Sequence, residues 1–386
     1  AVPLQDQDVT VAEVLKQAGY QTGVIGKWGL GLQNTSGTPH RQGFDEWLGY
    51  LDQVHAHDYY PTYLWRSSAA NQIFDLPQAL EKNFDGQKRL YSHDYFTMAA
   101  TNYIRVSKYR PFFLYLPLTI PHAHPKLARV TGNGMEVPND APYANESWPQ
   151  AEKNKAAMIT RLDNTVGAIL GVLQALKLDS NTVVFFSSDN GPHKAGGNDP
   201  KFFEATGPFR GIKRDLYEGG LRVPMIVWWP GRVEAGKVSD QVWAMWDLMP
   251  TLGEVAGARV PDGLDGISML PTWVGGKQTN QHEHLYWEFH ENGFQQAVRM
   301  ADWKGLRLAP TEPLELYNLK SDPAEETNVA AEHPTIVAKL EEIMKVEHTE
   351  PKEWPTDPAK LKNRPATTTN ESKPAEPPVA RPPESP

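Results

Sequence analysis

The chain has 386 residues, with 38 Lys and Arg against 47 Asp and Glu, 40% hydrophobic content, 33 prolines, 12 tryptophans and no cysteine. That length buries a substantial core in one large domain, or in a large one with a small one beside it. The missing cysteine excludes a disulfide framework, a thiolate metal site, a cysteine nucleophile and a redox dithiol, a net charge of -9 argues against non-specific nucleic-acid binding, and no membrane span is expected because no apolar run reaches the roughly 20 residues a bilayer requires.

The chain opens Ala1-Val2-Pro3, with no Met, basic n-region or apolar h-region in view, so no signal peptide is legible there. Thr10-Val11-Ala12-Glu13 is a capping-box pattern that predicts an amphipathic helix (Val11, Val14, Leu15, Ala18) stopped by Gly19. The apolar run Tyr20 to Ile25 predicts a strand ending in the loop Gly26-Lys27-Trp28-Gly29-Leu30-Gly31. A second run, Pro111 to Leu116, leads into Ile120-Pro121-His122-Ala123-His124-Pro125. Ile159, Leu162, Val166, Ile169, Leu170 and Leu173 recur at helical spacing and predict a long helix over Ala151 to Leu176. The strand Thr182 to Phe186 then runs into Ser187-Ser188-Asp189-Asn190-Gly191, and a fourth, Val223 to Trp229, follows a glycine-rich loop. Beyond about residue 280 come short alternating strands (Leu285–His290, Gln296–Met300, Gly305–Leu308, Leu314–Leu319) and a helix near Pro334–Val346. Residues 351–386 hold ten of the 33 prolines among Thr, Glu, Ser and Lys, which predicts a disordered tail.

Apolar strands alternating with helices predict an α/β fold, a mostly parallel sheet flanked by helices, over residues 1–278, followed by a small antiparallel subdomain over 279–350. Ligands of such sheets bind beyond the carboxyl ends of the strands. Three strands end there in residues of catalytic type: Lys27, His122 and the Asp189-Asn190 pair.

Each of these admits a plainer reading. Asp189 and Asn190 place two oxygens side by side, as a hard cation such as Ca²⁺ requires, with Mg²⁺ as an alternative, but Asp-Asn-Gly is also an ordinary turn. Lys27 lies in a glycine-punctuated loop where an ammonium can neutralise an anion, and Lys213, in Arg210-Gly211-Ile212-Lys213, has the same character; a solvated lysine is the alternative for both. His122 can hold an oxyanion or protonate a leaving group, or is simply a satisfied loop histidine. The pairs His55/His57, His122/His124 and His282/His284 raise a zinc hydrolase, but only the second lies where a site is expected and no carboxylate motif accompanies it. Some tryptophans can act as sugar-stacking platforms, though most such residues are core. Three glycosylation sequons begin at Asn34, Asn145 and Asn370.

Taken in order, Gly23-Val24-Ile25-Gly26-Lys27-Trp28, His40-Arg41-Gln42-Gly43-Phe44-Asp45, Ile120-Pro121-His122, Ser188-Asp189-Asn190-Gly191, Tyr217-Glu218-Gly219-Gly220-Leu221-Arg222-Val223-Pro224 and Asp247-Leu248-Met249-Pro250-Thr251-Leu252 resemble the type I sulfatases, the arylsulfatase A-like branch of the alkaline-phosphatase superfamily. Trp303-Lys304, Glu315 to Leu319 and Asp322 to Asn328 resemble that family's C-terminal signature, so the likeness is collinear over roughly residues 8–330. The resemblance implies an alkaline-phosphatase-like fold and hydrolysis of aryl or carbohydrate sulfate esters. It implies that Asp189 and Asn190 are two calcium ligands, that Lys27 and Lys213 hold sulfate oxygens, and that His122 sits near the leaving oxygen. It also implies a periplasmic or secreted location.

The family's nucleophile is a formylglycine hydrate made from Cys or Ser in Cys/Ser-x-Pro/Ala-x-Arg. Neither that motif nor the Asp-Asp pair that completes the metal site is present in this sequence. Both belong upstream of the first helix, so the expectation is an N-terminally truncated sulfatase that does not turn over as it stands. Gly29 stands where many relatives carry His, and His193, three residues after Asn190, is a candidate substitute or substrate contact. A phosphodiesterase or phosphonate hydrolase of the same superfamily, and a non-catalytic remnant that binds sulfated glycans, are the alternative readings; the oligomeric state is not legible.

Overall fold

The computed structural model describes residues 2–351 except residue 292, together with residue 356. The tail expected over 351–386 lies, apart from residues 351 and 356, outside the described residues. Helix α1 (Val11–Gln17) starts at the expected capping box: the Glu13 amide donates to the Thr10 hydroxyl at 3.2 Å, and the Thr10 amide donates to the Glu13 carboxylate at 2.8 Å. Gly19 at φ +84° turns the chain into β1 (Gln21–Lys27), whose five central residues are buried.

Next in order come β2 (Glu46–Tyr50), β3 (Tyr63–Ser68), β4 (Ile73–Ala79), α2 (Ser92–Ser107), β5 (Phe112–Tyr115), α3 (Pro125–Thr131), α4 (Gln150–Ala175), β6 (Val184–Ser187), α5 (Glu218–Leu221), β7 (Met225–Trp228), α6 (Leu248–Ala256) and α7 (Leu270–Trp273). The chain closes with β8 (Leu285–Phe289), β9 (Gln295–Met300), β10 (Trp303–Arg307), β11 (Glu315–Asn318) and α8 (Pro334–Glu347).

A five-stranded sheet runs β4-β3-β2-β1-β5. Strand β1 is parallel to both β2 and β5, whereas β3 runs antiparallel to β2 and β4. The α/β class therefore holds, with a mixed central sheet. Strand β7 does not join it; β6 and β7 pair with each other as an antiparallel ribbon. The ribbon meets the sheet through side chains: Phe113 of β5, Phe185 of β6 and Val227 of β7 share a cluster with Leu15, Leu252, Met269 and Trp273. Of the four apolar runs expected to be covered on both faces, only β1 is. Strand β5 ends its sheet and the ribbon has two unpaired edges, so these strands stay partly exposed, Ile226 at 59%.

Strands β8 to β11 form the expected antiparallel subdomain, in the order β11-β10-β9-β8. Leu340 and Met344 of α8 pack there against Val298, Leu314 and Leu316. By length and composition alone α4 is long and apolar enough to cross a membrane. Here it packs on α2 across a partly polar seam, with Thr165 Oγ1 2.9 Å from His93 Nε2 and 2.8 Å from Thr97 Oγ1, and Arg161 donating to Asp94 at 2.7 Å.

Candidate active site

Three chain reversals at the carboxyl ends of the strands supply the site. Lys27 ends β1, and its amide donates to the Pro117 carbonyl at 2.8 Å. That approach requires glycine before it: Gly26 has φ +135°, and a Cβ there would lie 2.3 Å from the Pro117 oxygen. The Trp28 amide donates to Tyr50 O at 2.8 Å and that of Gly29 to Leu51 O at 3.0 Å, fixing the loop over β2.

His122 follows β5, and the Tyr59 hydroxyl donates to its carbonyl at 2.5 Å. Its Nδ1 lies 2.7 Å from the Ala123 carbonyl, which can only accept, so Nδ1 carries the proton and Nε2 of the neutral ring is free to accept. The His57 ring stacks on one side of His122, with centroids 5.0 Å apart and planes 14° apart, and the His193 ring lies 5.3 Å away at 37°. The His193 Nε2 is 3.2 Å from the Pro121 carbonyl, and its Nδ1 accepts the Ala195 amide at 3.1 Å.

Burial pushes all three imidazoles below the ordinary histidine value, His122 to about 4. Lys213 adds to the depression in each ring, and Lys27 adds to it in His57. Lys213 is itself lowered, first by burial and then by Lys27, against the opposing pull of Asp189. Lys27, His57, His122, His193, Lys213 and Asp189 therefore share one electrostatic neighbourhood. Three imidazoles held below their ordinary value, close to Lys27 and Lys213, make a site that suits an incoming oxyanion, with Asp189 the carboxylate that acts on Lys213.

The loops are sewn together by backbone bonds between segments distant in sequence. The Lys213 amide donates to Pro192 O at 2.9 Å, and the Gly191 amide donates to Gly220 O at 2.9 Å. A Cβ on Gly191 would meet the Gly219 oxygen at 2.0 Å, so the Asp-Asn-Gly and Glu-Gly-Gly motifs require each other. The Lys213 loop is in turn bolted to the C-terminal subdomain. Lys304 Nζ, fully buried on β10, lies 2.8 Å from Glu218 and 3.0 Å from Glu325, and the Glu218 amide donates to Glu325 at 2.6 Å. The Arg210 guanidinium lies 3.9 Å from the centre of the Tyr217 ring and donates to the Glu325 carbonyl at 2.9 Å.

Asp189 is exposed beyond β6, and the Asn190 amide nitrogen donates to Gly191 O at 2.9 Å, leaving its side-chain oxygen for another partner. Two oxygens fit part of a calcium shell, which takes six to eight. Among the described residues no group of three or more His, Asp or Glu can hold a metal ion, so the pair does not by itself fit a complete site. The zinc reading fails for the same reason, and His124 is 2.9 Å from Glu136 while His282 is 2.8 Å from buried Asp247.

The structure thus brings together Lys27, His122, His193, Lys213 and the Asp189-Asn190 pair. The residue missed in the sequence is His57. Its pair with His55 was visible, but it sits in the short helical turn His55–His57, within a stretch that carried no strand signal.

The family model described as Sulfatase matches residues 2–258, and that of N-sulphoglucosamine sulphohydrolase, C-terminal, matches residues 210–350. This chain belongs to the sulfatase family. It is 32% identical over 299 residues to the N-acetylgalactosamine-6-sulfatase of Canis lupus familiaris, covering 73% of this chain and 52% of that one. To the N-acetylgalactosamine-6-O-sulfatase of Bacteroides thetaiotaomicron it is 27% identical over 411 residues, 87% of this chain and 76% of that one. The crystal structure of Ps i-CgsB in complex with k-i-k-neocarrahexaose superposes with a TM-score of 0.76 at 25% identity, over 94% of this chain and 79% of that one. The sulfatase chain spans about half the length of the canine relative, and its alkaline-phosphatase-like architecture agrees with these neighbours.

Proposed function

We propose that this cluster is the sulfate-binding part of a sulfuric ester hydrolase acting on carbohydrate sulfates. The observation that carries this reading is the meeting of Lys27 and Lys213 with three neutral imidazoles at the strand ends of a sulfatase-family chain. Sulfuryl transfer spreads negative charge over the equatorial and leaving oxygens, and fixed cations in a water-poor pocket stabilise it where it develops. Lys27 and Lys213 neutralise the equatorial oxygens. His122, held by Ala123 and Tyr59, turns Nε2 towards the leaving oxygen, and an anion beside it raises the affinity of that nitrogen for a proton. His193, whose ring lies 5.3 Å from that of His122, is the candidate to take the role of the His that many relatives carry at the position of Gly29, or to contact substrate.

Asp189 and Asn190 would hold part of a calcium ion, which supplies positive charge to the sulfate oxygens. Formylglycine supplies the attacking hydroxyl in family chemistry; the 386 residues contain no cysteine, and no serine in the Ser-x-Pro/Ala-x-Arg context, from which to make it. The relatives named for N-acetylgalactosamine 6-sulfate favour a sugar ester over an aryl one.

Calorimetric titration with N-acetylgalactosamine 6-sulfate in the presence of Ca²⁺, alongside a 4-methylumbelliferyl sulfate assay, tests the reading. The expected result is saturable binding of the sulfate ester, weaker binding of the matching phosphate ester, and no turnover by this chain. Turnover would contradict the formylglycine requirement, and preference for phosphate would contradict the sulfatase assignment.

A further inference from the structure

Tyr143, Trp148, Phe202 and Phe203 make a continuous aromatic group outside every buried core cluster among the described residues. Trp148 stacks on Tyr143 with centroids 5.5 Å apart, and meets Phe203 edge-on at 5.2 Å and Phe202 at 5.9 Å. Phe202 and Phe203 stand at 90° with centroids 4.8 Å apart, forming an apolar corner that stays 40% and 38% exposed.

A short segment, anchored on α4, links the corner to the site. From His193 the chain passes through Asn198, whose side-chain oxygen accepts from Lys155 Nζ at 3.0 Å, and Asp199, whose amide donates to Glu152 at 2.5 Å. The Phe202 amide then donates to Asp199 O at 3.0 Å. Glu152, Lys155 and Asn198 are nearly fully buried, so α4 fixes the middle of this segment, at Asn198 and Asp199. Nine residues of chain reach at most about 30 Å, so the corner lies within a few sugar units of His122 and His193.

We infer that Trp148, Phe202 and Phe203 form a subsite that stacks on the C–H face of a pyranose ring in a sulfated oligosaccharide whose scissile sulfate lies between Lys27 and Lys213. A pyranose matches the corner chemically, with a flat apolar face the size of one aromatic ring and hydroxyls around its rim. The corner's own rim is polar, with exposed Lys201, Glu204, Asn145 and Glu146. Two part-exposed rings fall far short of the roughly 800 Å² per partner that a stable protein interface buries. A rigid platform also avoids the ordering cost of binding. The inference rests on the sulfatase reading, and its test separates the two.

The double variant Phe202→Ala/Phe203→Ala is titrated with N-acetylgalactosamine 6-sulfate and with a chondroitin 6-sulfate hexasaccharide. Affinity for the hexasaccharide is expected to fall about fivefold to tenfold while monosaccharide affinity is unchanged, and Phe202→Tyr/Phe203→Tyr, which keeps the rings, restores it. Undiminished hexasaccharide binding beside intact monosaccharide binding overturns the platform alone, and an equal loss on both ligands assigns the rings to the fold and also overturns it. Absence of monosaccharide binding in the unmodified chain overturns the parent reading. Concentration-dependent dimerisation of the unmodified chain, abolished in the alanine variant by sedimentation velocity, would give the corner to a second copy and overturn the inference.

Discussion

At the scale of residues, the site is an argument about protonation. His122 stays neutral at physiological pH because burial holds it at about 4, with Lys213, His193 and His57 adding to the effect. A bound anion reverses that balance, so binding takes up a proton. Affinity for inorganic sulfate is therefore expected to rise as pH falls from 8 to 5, because His122, His57 and His193 all sit below 6.5 without the anion and above their resting values with it. Calorimetry across this range, repeated with His122→Asn, checks it: a flat profile in the unmodified chain would contradict the account, and a shallower slope in the variant would support it. Lys27 and Lys213 were legible because each lies among glycines, where backbone approaches a ligand. His57 was not, because ring stacking across 65 residues leaves no local pattern.

At the scale of elements, the capped helix α1, strand β1 and the long α4 follow from patterns that act locally: a capping box, an unbroken apolar run and a 3.6-residue period. Strands β2, β3 and β4 and helix α2 did not stand out. Pro77 within β4 argues against a strand and is accommodated because β4 lies at the sheet edge. Helix α2 lacks a side-chain cap and mixes Ser, Thr, Asn and His into its turns. The pairing of β6 with β7 was equally hidden, since an apolar run does not specify its neighbour. The meaning of the C-terminal motifs emerges at this scale too. Lys304, Glu218 and Glu325 form a buried charge cluster joining β10, α5 and the segment after β11, and α5 in turn accepts the Gly191 amide. Lys304→Met removes the cation between two buried carboxylates, leaving Glu218 only Arg299 at 3.8 Å, and is expected to cost about 3–5 kcal/mol. Urea denaturation measures this, and restoration of most of the loss by Lys304→Met/Glu218→Gln/Glu325→Gln would show that charge, not packing volume, holds the joint. A loss below about 1 kcal/mol for the single variant would contradict it.

At the scale of the whole molecule, pH ties stability to buried histidine. His93 is fully buried against Thr165 of α4, and burial lowers it to about 4. The unfolded ring binds a proton near 6.5 and the folded ring near 4, so its contribution is fully present above pH 6.5 and is lost as pH falls towards 4. The loss amounts to about 3 kcal/mol. His122, also lowered to about 4, acts with the same sign. Urea midpoints at pH 7 and pH 4.5 are expected to differ less in His93→Gln than in the unmodified chain, and equal differences would remove His93 as a cause. The partly exposed strands β5, β6 and β7 lie beside the site, and the Asp189-Asn190 pair directly follows β6.

The central claim is that Lys27 and Lys213 hold one sulfate group. Its most direct measurement is the affinity of Lys27→Met and Lys213→Met for N-acetylgalactosamine 6-sulfate, with exposed Lys320→Ala as the control. Each site variant is expected to lose about tenfold or more, as a charged hydrogen bond of roughly 1.5–3 kcal/mol requires, while the control is unchanged. Affinity within twofold of the unmodified chain in both site variants would contradict the account.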